Sequence, residues 1–338
     1  MGHSGLLPLR RIGTIGRMHD HDNEPAAARP ARPDPVVAIV GATATGKSDL
    51  AIALARELGG EVVNADASQL YAGMDIGTAK VPPGQRQGIR HHQLDVLSVR
   101  DEASVAAFQR AARQDMARIR TRGQVPVLAG GSGLYVRAVL DRFEIPPTDP
   151  KVRERYDARL AAEGPARLHL ELAAADPVAA AQILPTNGRR IVRALEVIEL
   201  TGRLFSATLP RREFHEPAIL IGLRADRPTL DQRIARRTEQ MWQDGLLDEV
   251  KLLLADGLRE GRTASRAIGY AQALDQIDGR LSQQEAIDAT ALATRRLARR
   301  QGSWFEPDPR VHWLEHDAPD LVDRALDVVR TGAVTAAD

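Results

Sequence analysis

Eight residues, Gly41-Ala42-Thr43-Ala44-Thr45-Gly46-Lys47-Ser48, follow the apolar run Val36-Val37-Ala38-Ile39-Val40 and precede Asp49 to Leu58, whose apolar side is Leu50, Ile52, Leu54 and Leu58. Strand, Gly-x-x-x-x-Gly-Lys-Ser, helix is the setting of a phosphate-binding loop. Gly41 and Gly46 permit a tight turn whose backbone N–H groups converge on phosphate oxygens, and the helix N-terminus adds positive potential. Lys47 supplies a mobile cation and Ser48 a hydroxyl suited to Mg²⁺. Kinases, ATPases and other transferases all hold a diphosphate this way, so the reaction has to be read from other segments.

A carboxylate comes next. Glu61-Val62-Val63-Asn64-Ala65-Asp66 reads as a second strand ending at Asp66, and ligands of open α/β sheets lie at the carboxyl ends of strands. Asp66 is there either as a turn-capping residue or as a cleft carboxylate, acting as general base or Mg²⁺ partner. The run to Lys80, Ala67-Ser68-Gln69-Leu70-Tyr71-Ala72-Gly73-Met74-Asp75-Ile76-Gly77-Thr78-Ala79-Lys80, is polar and glycine-bearing without being a low-complexity linker. A third buried strand, Val125-Pro126-Val127-Leu128-Ala129, opens onto Gly130-Gly131-Ser132-Gly133, which is either a tight turn or a second place where backbone approaches a ligand. His91 and His92 adjoin on an extended segment and point to opposite sides, a poor metal pair, so the structural reading is favoured.

These residues need elements to carry them. A helix is expected from about Ser104 to Arg122, with Val105, Phe108, Ala112, Met116 and Ile119 at helical spacing and Gly123 ending it. Beyond Phe143, Pro146, Pro147 and Pro150 make a linker, followed by helical patterns with Asp149-Pro150 as a start signal and Gly164-Pro165 as a break. No strand pattern returns until Ala218-Ile219-Leu220-Ile221-Gly222-Leu223, so helices interrupt the sheet as an inserted domain would. The fold class is α/β: a P-loop NTPase-like parallel sheet core flanked by helices, with an inserted all-helical domain. The expected bounds are 35–143 and 215–316 for the core, 144–214 for the insertion, 317–338 for a C-terminal helix and tail, and 1–34 for a disordered extension. One helix is expected from Leu230 to Leu254, with Leu230, Ile234, Met241, Leu247, Val250 and Leu254 as core.

Composition narrows the class. A chain of 338 residues has room for a sizeable core and a second, smaller domain. With no cysteine it carries no disulfide or cysteine-ligated zinc, and a reducing, cytoplasmic compartment suits it. No apolar run approaches the roughly 20 residues of a membrane helix. A formal charge of +1, from 46 basic and 45 acidic residues, excludes a polycationic binder but not a local basic face. Lys47, Lys80, Lys151 and Lys251 are the lysines and every other basic residue is arginine, so arginine clusters carry little information here. The first 34 residues hold Pro25, Pro30 and Pro33, no acid before Asp20, and Arg10, Arg11 and Arg17, which suits a transit peptide or a start site truly at Met18.

Taken together, Gly41 to Ser48, the Asp66 to Lys80 run, Gly130-Gly131-Ser132-Gly133-Leu134-Tyr135 and Arg193-Ala194-Leu195-Glu196-Val197 resemble the tRNA dimethylallyltransferases, from about Val36 to Leu314. Gly-Met-Asp-Ile-Gly-Thr-Ala-Lys is the most specific part, since ordinary P-loop kinases have nothing like it. The resemblance implies transfer of a dimethylallyl group from dimethylallyl diphosphate to N6 of an adenine next to the anticodon of tRNA, with Mg²⁺, by a monomer. It implies catalytic roles for Asp66, Ser132 and Lys47; a diphosphate site of Gly41, Thr43, Ala44, Thr45, Gly46, Lys47, Ser48 and Arg227, with Ser48 at the metal; and tRNA contacts from Asp66, Ala67, Ser68, Gln69, Ser132, Arg153, Arg189, Arg190, Arg193, Arg266, Gly269 and Tyr270. Ser132 stands where the family usually has Thr, and Leu184-Pro185-Thr186-Asn187 where it usually has His-Pro-Asn-Asp. The last helix, with Arg295 and Arg299 at i,i+4, resembles the family's basic helix ahead of Trp304-Phe305. In the helix through Arg189 to Ile198, Ile191, Leu195 and Ile198 share one face, with Arg189 and Arg193 opposite, where a solvated face and a phosphate contact are alternatives.

Three rivals predict different behaviour. A small-molecule or nucleotide kinase consumes ATP and has no use for the Asp66 to Lys80 string. An isopentenyltransferase acting on free adenine nucleotide lacks the large insert. A non-catalytic RNA-binding P-loop protein keeps its RNA affinity without chemistry when Asp66 is replaced.

Overall fold

The computed structural model describes Met1 and residues 35–208 and 212–332. The expectations for the extension up to residue 34 and for a frayed tail beyond 332 lie outside the described residues. In chain order the elements are β1 (Val36–Gly41), α1 (Lys47–Glu57), β2 (Glu61–Asn64), β3 (His91–His92), α2 (Val105–Thr121), β4 (Pro126–Ala129), α3 (Gly133–Leu140), α4 (Pro150–Glu163), α5 (Pro165–Ala175), α6 (Pro177–Gln182), α7 (Gly188–Thr201), β5 (Ala218–Arg224), α8 (Arg227–Gln243), α9 (Leu246–Ala255), α10 (Tyr270–Ile277), α11 (Gln283–Phe305), β6 (Val311–Glu315) and α12 (Leu321–Thr331).

The strands form one six-stranded sheet in the order β3-β2-β4-β1-β5-β6, and every pairing is parallel. A parallel sheet is covered on both faces, which is why β1 reads as a continuous apolar run rather than an alternation. Val36, Ala38 and Val40 join the core under α2 and α3 and the end of α11; Val37 and Ile39 join the one under α1 and α12. α12 therefore belongs to the same layer as α1, with Ala325 and Leu326 buried. The short β3 and the half-polar β6 carry too little apolar pattern to be read as strands from sequence; β5 and β2 recruit them by edge pairing.

One other expectation is corrected. The single helix from Leu230 to Leu254 is broken at Asp244-Gly245, where Gly245 takes φ of 97°, and α9 turns to pack with α10 around Leu246, Val250 and Tyr270. The run from Met74 to Lys80 is a series of turns anchored by buried side chains: Met74 is fully enclosed in that cluster, and the Lys80 ammonium is shared between Asp75 at 2.6 Å and Asp95 at 2.5 Å.

The insertion has its own core. Tyr156, Leu168, Leu172, Ile183, Ile191 and Leu195 cluster among α4 to α7. Pro150, Pro165 and Pro177 each open a helix, where a missing N–H costs nothing. Asp149, Asp176 and Asn187 cap α4, α6 and α7. The unusual Leu184 to Asn187 segment thus keeps a helix cap at its last position: Asn187 Oδ1 accepts the Arg190 N–H at 3.3 Å. Among the described residues no helix is long and apolar enough to cross a membrane.

Candidate active site

The carboxyl ends of β1, β2 and β4 surround a cavity of about 710 Å³. Thr43, Ala44, Gly46, Lys47, Ser48, Asp66, Gln69, Thr78, Lys80, Gly130 and Gly131 line it from the sheet side; Arg233, Arg236, Arg237, Gln240 and Asp244 line it from α8. A smaller cavity of about 320 Å³ at the linker, lined by Arg142, Pro146, Pro147 and Thr201 among others, shares none of these residues.

The loop after β1 has the conformation its glycines allow. Gly41 has φ of 133°, and a Cβ there would lie 2.4 Å from the Leu223 carbonyl oxygen, so this glycine is required by the neighbouring strand. Gly46 has φ of 89° and open space around it, and as the N-cap of α1 it offers no side-chain acceptor. The first N–H groups of α1 are therefore free to meet an anion in the cavity. The loop is braced from within and from outside: Thr45 Oγ1 and Lys47 Nζ donate to the Ala42 carbonyl at 2.9 and 2.5 Å, and Arg233 Nε on α8 donates to the Ala44 carbonyl at 2.7 Å.

Asp66 proves to be both a cap and a cleft residue. It caps the 3-10 turn Ala67–Leu70, and Oδ1 accepts both the Ser68 N–H at 3.0 Å and the Ser68 hydroxyl at 2.6 Å. Among the described residues no hydrogen bond falls on Oδ2. Ser132 Oγ accepts the Ala67 N–H at 3.2 Å, and Gln69 Nε2 donates to the Thr78 carbonyl at 3.1 Å. The turn bearing Asp66 is thus pinned from β4's loop on one side and from the Gly77–Lys80 segment on the other.

The electrostatics are those of an anion site. Burial lowers the Lys47 ammonium from 10.5 to about 8; Asp66 opposes the shift and Arg237 adds to it. Burial likewise lowers the Arg237 guanidinium, with Asp66 opposing and Arg233 adding. Neither Arg236 nor Arg237 has a carboxylate partner among the described residues. Lys47 and Arg237, whose charged forms burial disfavours and Asp66 only partly offsets, are relieved by a polyanionic ligand.

A family profile described as IPP transferase matches residues 69–308. This chain belongs to the IPP transferase family. The tRNA dimethylallyltransferases of Thermobifida fusca and of a Nocardioides species are each 58% identical to it, over 299 and 296 residues; the alignments cover 87% of this chain and 94% and 96% of the relatives. The tRNA isopentenylpyrophosphate transferase of Bacillus halodurans is similar in structure at a TM-score of 0.64 with 38% identity, covering 88% of this chain and 95% of that one. A eukaryotic dimethylallyltransferase solved acting on tRNA reaches a TM-score of 0.74 with 25% identity, covering 87% and 78%. The chain is accordingly a prenyltransferase.

Within this family member the structure redistributes several expected roles. Arg227 is exposed on the first turn of α8 and outside the cavity lining; Arg233, Arg236 and Arg237 stand at the cavity instead. Their i, i+3, i+4 spacing was a signal, masked by the arginine bias of the whole chain. Tyr270, expected at tRNA, is fully buried, with its hydroxyl 2.5 Å from Glu249 Oε1; Gly269 caps α10, and Arg266 is exposed. Arg153 and Arg193 both bind the fully enclosed Glu196 carboxylate, and Arg193 also donates to the Pro146 and Pro147 carbonyls at 2.7 and 2.9 Å. Burial alone would raise the Glu196 pKa, but the hydrogen bonds from Arg153, Thr148 and Arg193 hold it below the usual glutamate value. Arg189 and Arg190, on the first turn of α7, are exposed and bind no acidic side chain among the described residues.

The glycines after β4 make room for neighbouring protein while Gly130 and Gly131 also line the cavity: a Cβ at Gly130 would meet the Ala65 backbone at 2.3 Å, one at Gly131 the Gln301 amide at 2.2 Å, and one at Gly133 the Trp304 ring at 2.4 Å. His92 pairs with Glu61 at 2.5 Å, a structural partner, while His91 Nδ1 is 2.9 Å from the Ile89 carbonyl and the residue lines the cavity.

Proposed function

We propose that this prenyltransferase moves a dimethylallyl group from dimethylallyl diphosphate to N6 of the adenosine next to the anticodon, position 37, of tRNA. The products are N6-isopentenyladenosine and diphosphate. The observation that carries the reading is that Asp66 shares one cavity with the uncapped N-terminus of α1, Lys47 and Arg237.

The adenine N6 lone pair is delocalised into the ring, so attack requires removal of an N–H proton as the new bond forms. N6 bonds to the allylic carbon, the carbon–oxygen bond to diphosphate breaks, its electron pair leaves on diphosphate, and the N6 proton passes to Asp66. Ser68 keeps Oδ1 occupied and orients the carboxylate with Oδ2 available. The departing charge is met by the α1 amides, Lys47, Arg233 and Arg237. No enzyme nucleophile takes part.

Mg²⁺ fits this donor set. The described residues contain no cluster of three acidic or histidine side chains, and Mg²⁺ at diphosphates needs only one or two protein oxygens with phosphate oxygens and water. Ser48, exposed on the first turn of α1 and lining the cavity, would hold it. When bound, the ion neutralises diphosphate charge. On the RNA side, the anticodon stem-loop of one tRNA meets a monomeric enzyme at the Asp66–Gln69 turn and at Arg189 and Arg190 on the insertion, and the target base leaves its stack to reach the cleft. A cytoplasmic setting accords with this substrate.

The test is to incubate the protein with Mg²⁺, dimethylallyl diphosphate and unmodified tRNA. One adenosine next to the anticodon should gain the mass of a dimethylallyl group. An ATP arm that phosphorylates a substrate, with no transfer in the first arm, overturns the reading in favour of a kinase.

A further inference from the structure

Gln301 lies on α11, 258 residues from the phosphate-binding loop along the chain, yet its Oε1 accepts the Thr43 N–H at 2.8 Å. It is only 4% exposed. The side chain reaches the loop through the hollow left by Gly131, where a Cβ would stand 2.2 Å from Gln301 Nε2 and 3.1 Å from the Gly41 carbonyl oxygen. One carboxamide therefore joins three separate motifs: the phosphate loop, the glycine run after β4 and the arginine-rich end of α11.

The orientation of that carboxamide follows from donor complementarity. An amide N–H donates to oxygen, so Oε1 is turned to Thr43 and the NH2 is turned toward Gly131. That NH2 has no hydrogen-bond partner among the described residues, although the side chain is buried. Gly131 and Thr43 both line the cavity, and although Gln301 is not itself a lining residue, its unpaired donor adjoins these two.

Resting on the transfer reaction proposed above, we infer that Gln301 belongs to the diphosphate site in two ways. Its carbonyl oxygen fixes the Thr43 amide, and with it the loop, before substrate arrives; its NH2 donates to an oxygen of the allylic diphosphate. A loop set in advance loses less freedom on binding, and a donor placed before charge develops needs no reorganisation.

Two substitutions separate the halves. Gln301→Leu removes acceptor and donor; Gln301→Glu keeps an oxygen for Thr43 but puts a carboxylate where the NH2 stood. The full-length protein is titrated with Mg²⁺ and pyrophosphate by calorimetry and with tRNA separately, and hydrogen exchange is followed at the Thr43 amide. Gln301→Leu should weaken pyrophosphate binding about 10- to 100-fold, the range for a hydrogen bond to a charged group. It should also expose the Thr43 amide to exchange while tRNA affinity stays within about twofold. Gln301→Glu should keep Thr43 protected and still bind pyrophosphate at least as weakly. Equal loss of pyrophosphate and tRNA affinity, or unchanged pyrophosphate binding in Gln301→Leu, overturns the inference; wild-type binding by Gln301→Glu overturns the donor half. Wild-type protein that binds pyrophosphate but transfers no dimethylallyl group would sink the reaction and not the site.

Discussion

Arginines crowd both the cleft face of α8 and the helical insertion, but the fold treats the two sets differently. In the insertion, Arg153 and Arg193 are matched to Glu196, Arg155 to Glu199 and Arg159 to Glu163 and Glu171. At the cleft, Arg233 donates to a loop carbonyl, and Arg236 and Arg237 form no ion pair among the described residues, Asp66 acting on Arg237 only at longer range. What differs is whether the protein supplies the counter-ion. Where it does, arginine is architecture. Where the counter-ion is left out, and burial disfavours the charged forms of Arg237 and Lys47, the site is made for an anion from outside.

The comparison can be broken at several points, the most sensitive being Asp66, the cleft carboxylate that acts on both Lys47 and Arg237. Asp66→Asn should cut transfer by about 10²- to 10⁴-fold, the usual worth of a general base, while tRNA affinity changes little. Single-turnover transfer and filter binding measure the two, and parallel losses would remove Asp66 from the chemistry. Next comes Arg237→Met, which should weaken pyrophosphate binding by about 10- to 100-fold, as expected for a charge-assisted bond, without altering tRNA affinity.

Lys47 sharpens the same contrast through pH. Its pKa is depressed to about 8 in the empty site, and a diphosphate prefers the protonated form. Affinity should thus be insensitive to this group below about pH 8, then fall up to tenfold per unit above it; calorimetry across pH 7 to 9.5 tests this, and Lys47→Met should flatten the slope. For folding the sign follows from the depressed value. Below pH 8 the charged group is buried at a cost, and that cost fades as pH rises from about 8 toward the unfolded value of 10.5.

Effects in the insertion should be smaller and of another kind. Glu196→Ala strands Arg153 and Arg193, which are partly exposed and can turn to water, so a loss of about 1–3 kcal/mol in thermal or urea unfolding is expected, with pyrophosphate binding intact. Smallest is the pair Arg189→Ala with Arg190→Ala. It should lower tRNA affinity modestly and reduce the salt slope by about 1 to 2, whereas Arg193→Ala should destabilise the insertion and leave that slope nearly unchanged. A salt slope that responds to Arg193 and ignores the other two would invert the assignment.

Much of this was legible along the chain because it is local. The Gly41 to Ser48 spacing, the buried runs at Val36, Val62, Val127 and Ile219, and the position of Asp66 at a strand end all follow from short-range periodicity and turn chemistry. The helix break at Gly245 was in principle readable from the glycine, but an apolar pattern continues on both sides of it. β6 carried no such pattern, since only its pairing with β5 makes it a strand.

The amino-acid order by itself determined the phosphate loop, the parallel α/β core and the helical interruption, since each is encoded in neighbouring residues. Tertiary structure alone decided which cations lack ion-pair partners, that Tyr270 is core, that Arg233, Arg236 and Arg237 rather than Arg227 line the cavity, and that Gln301 reaches Thr43. The reason is one of range. A side chain's partner lies wherever packing places it, 43 residues away for Arg153 and Glu196 and 258 for Gln301 and Thr43, and periodicity carries no information over such distances.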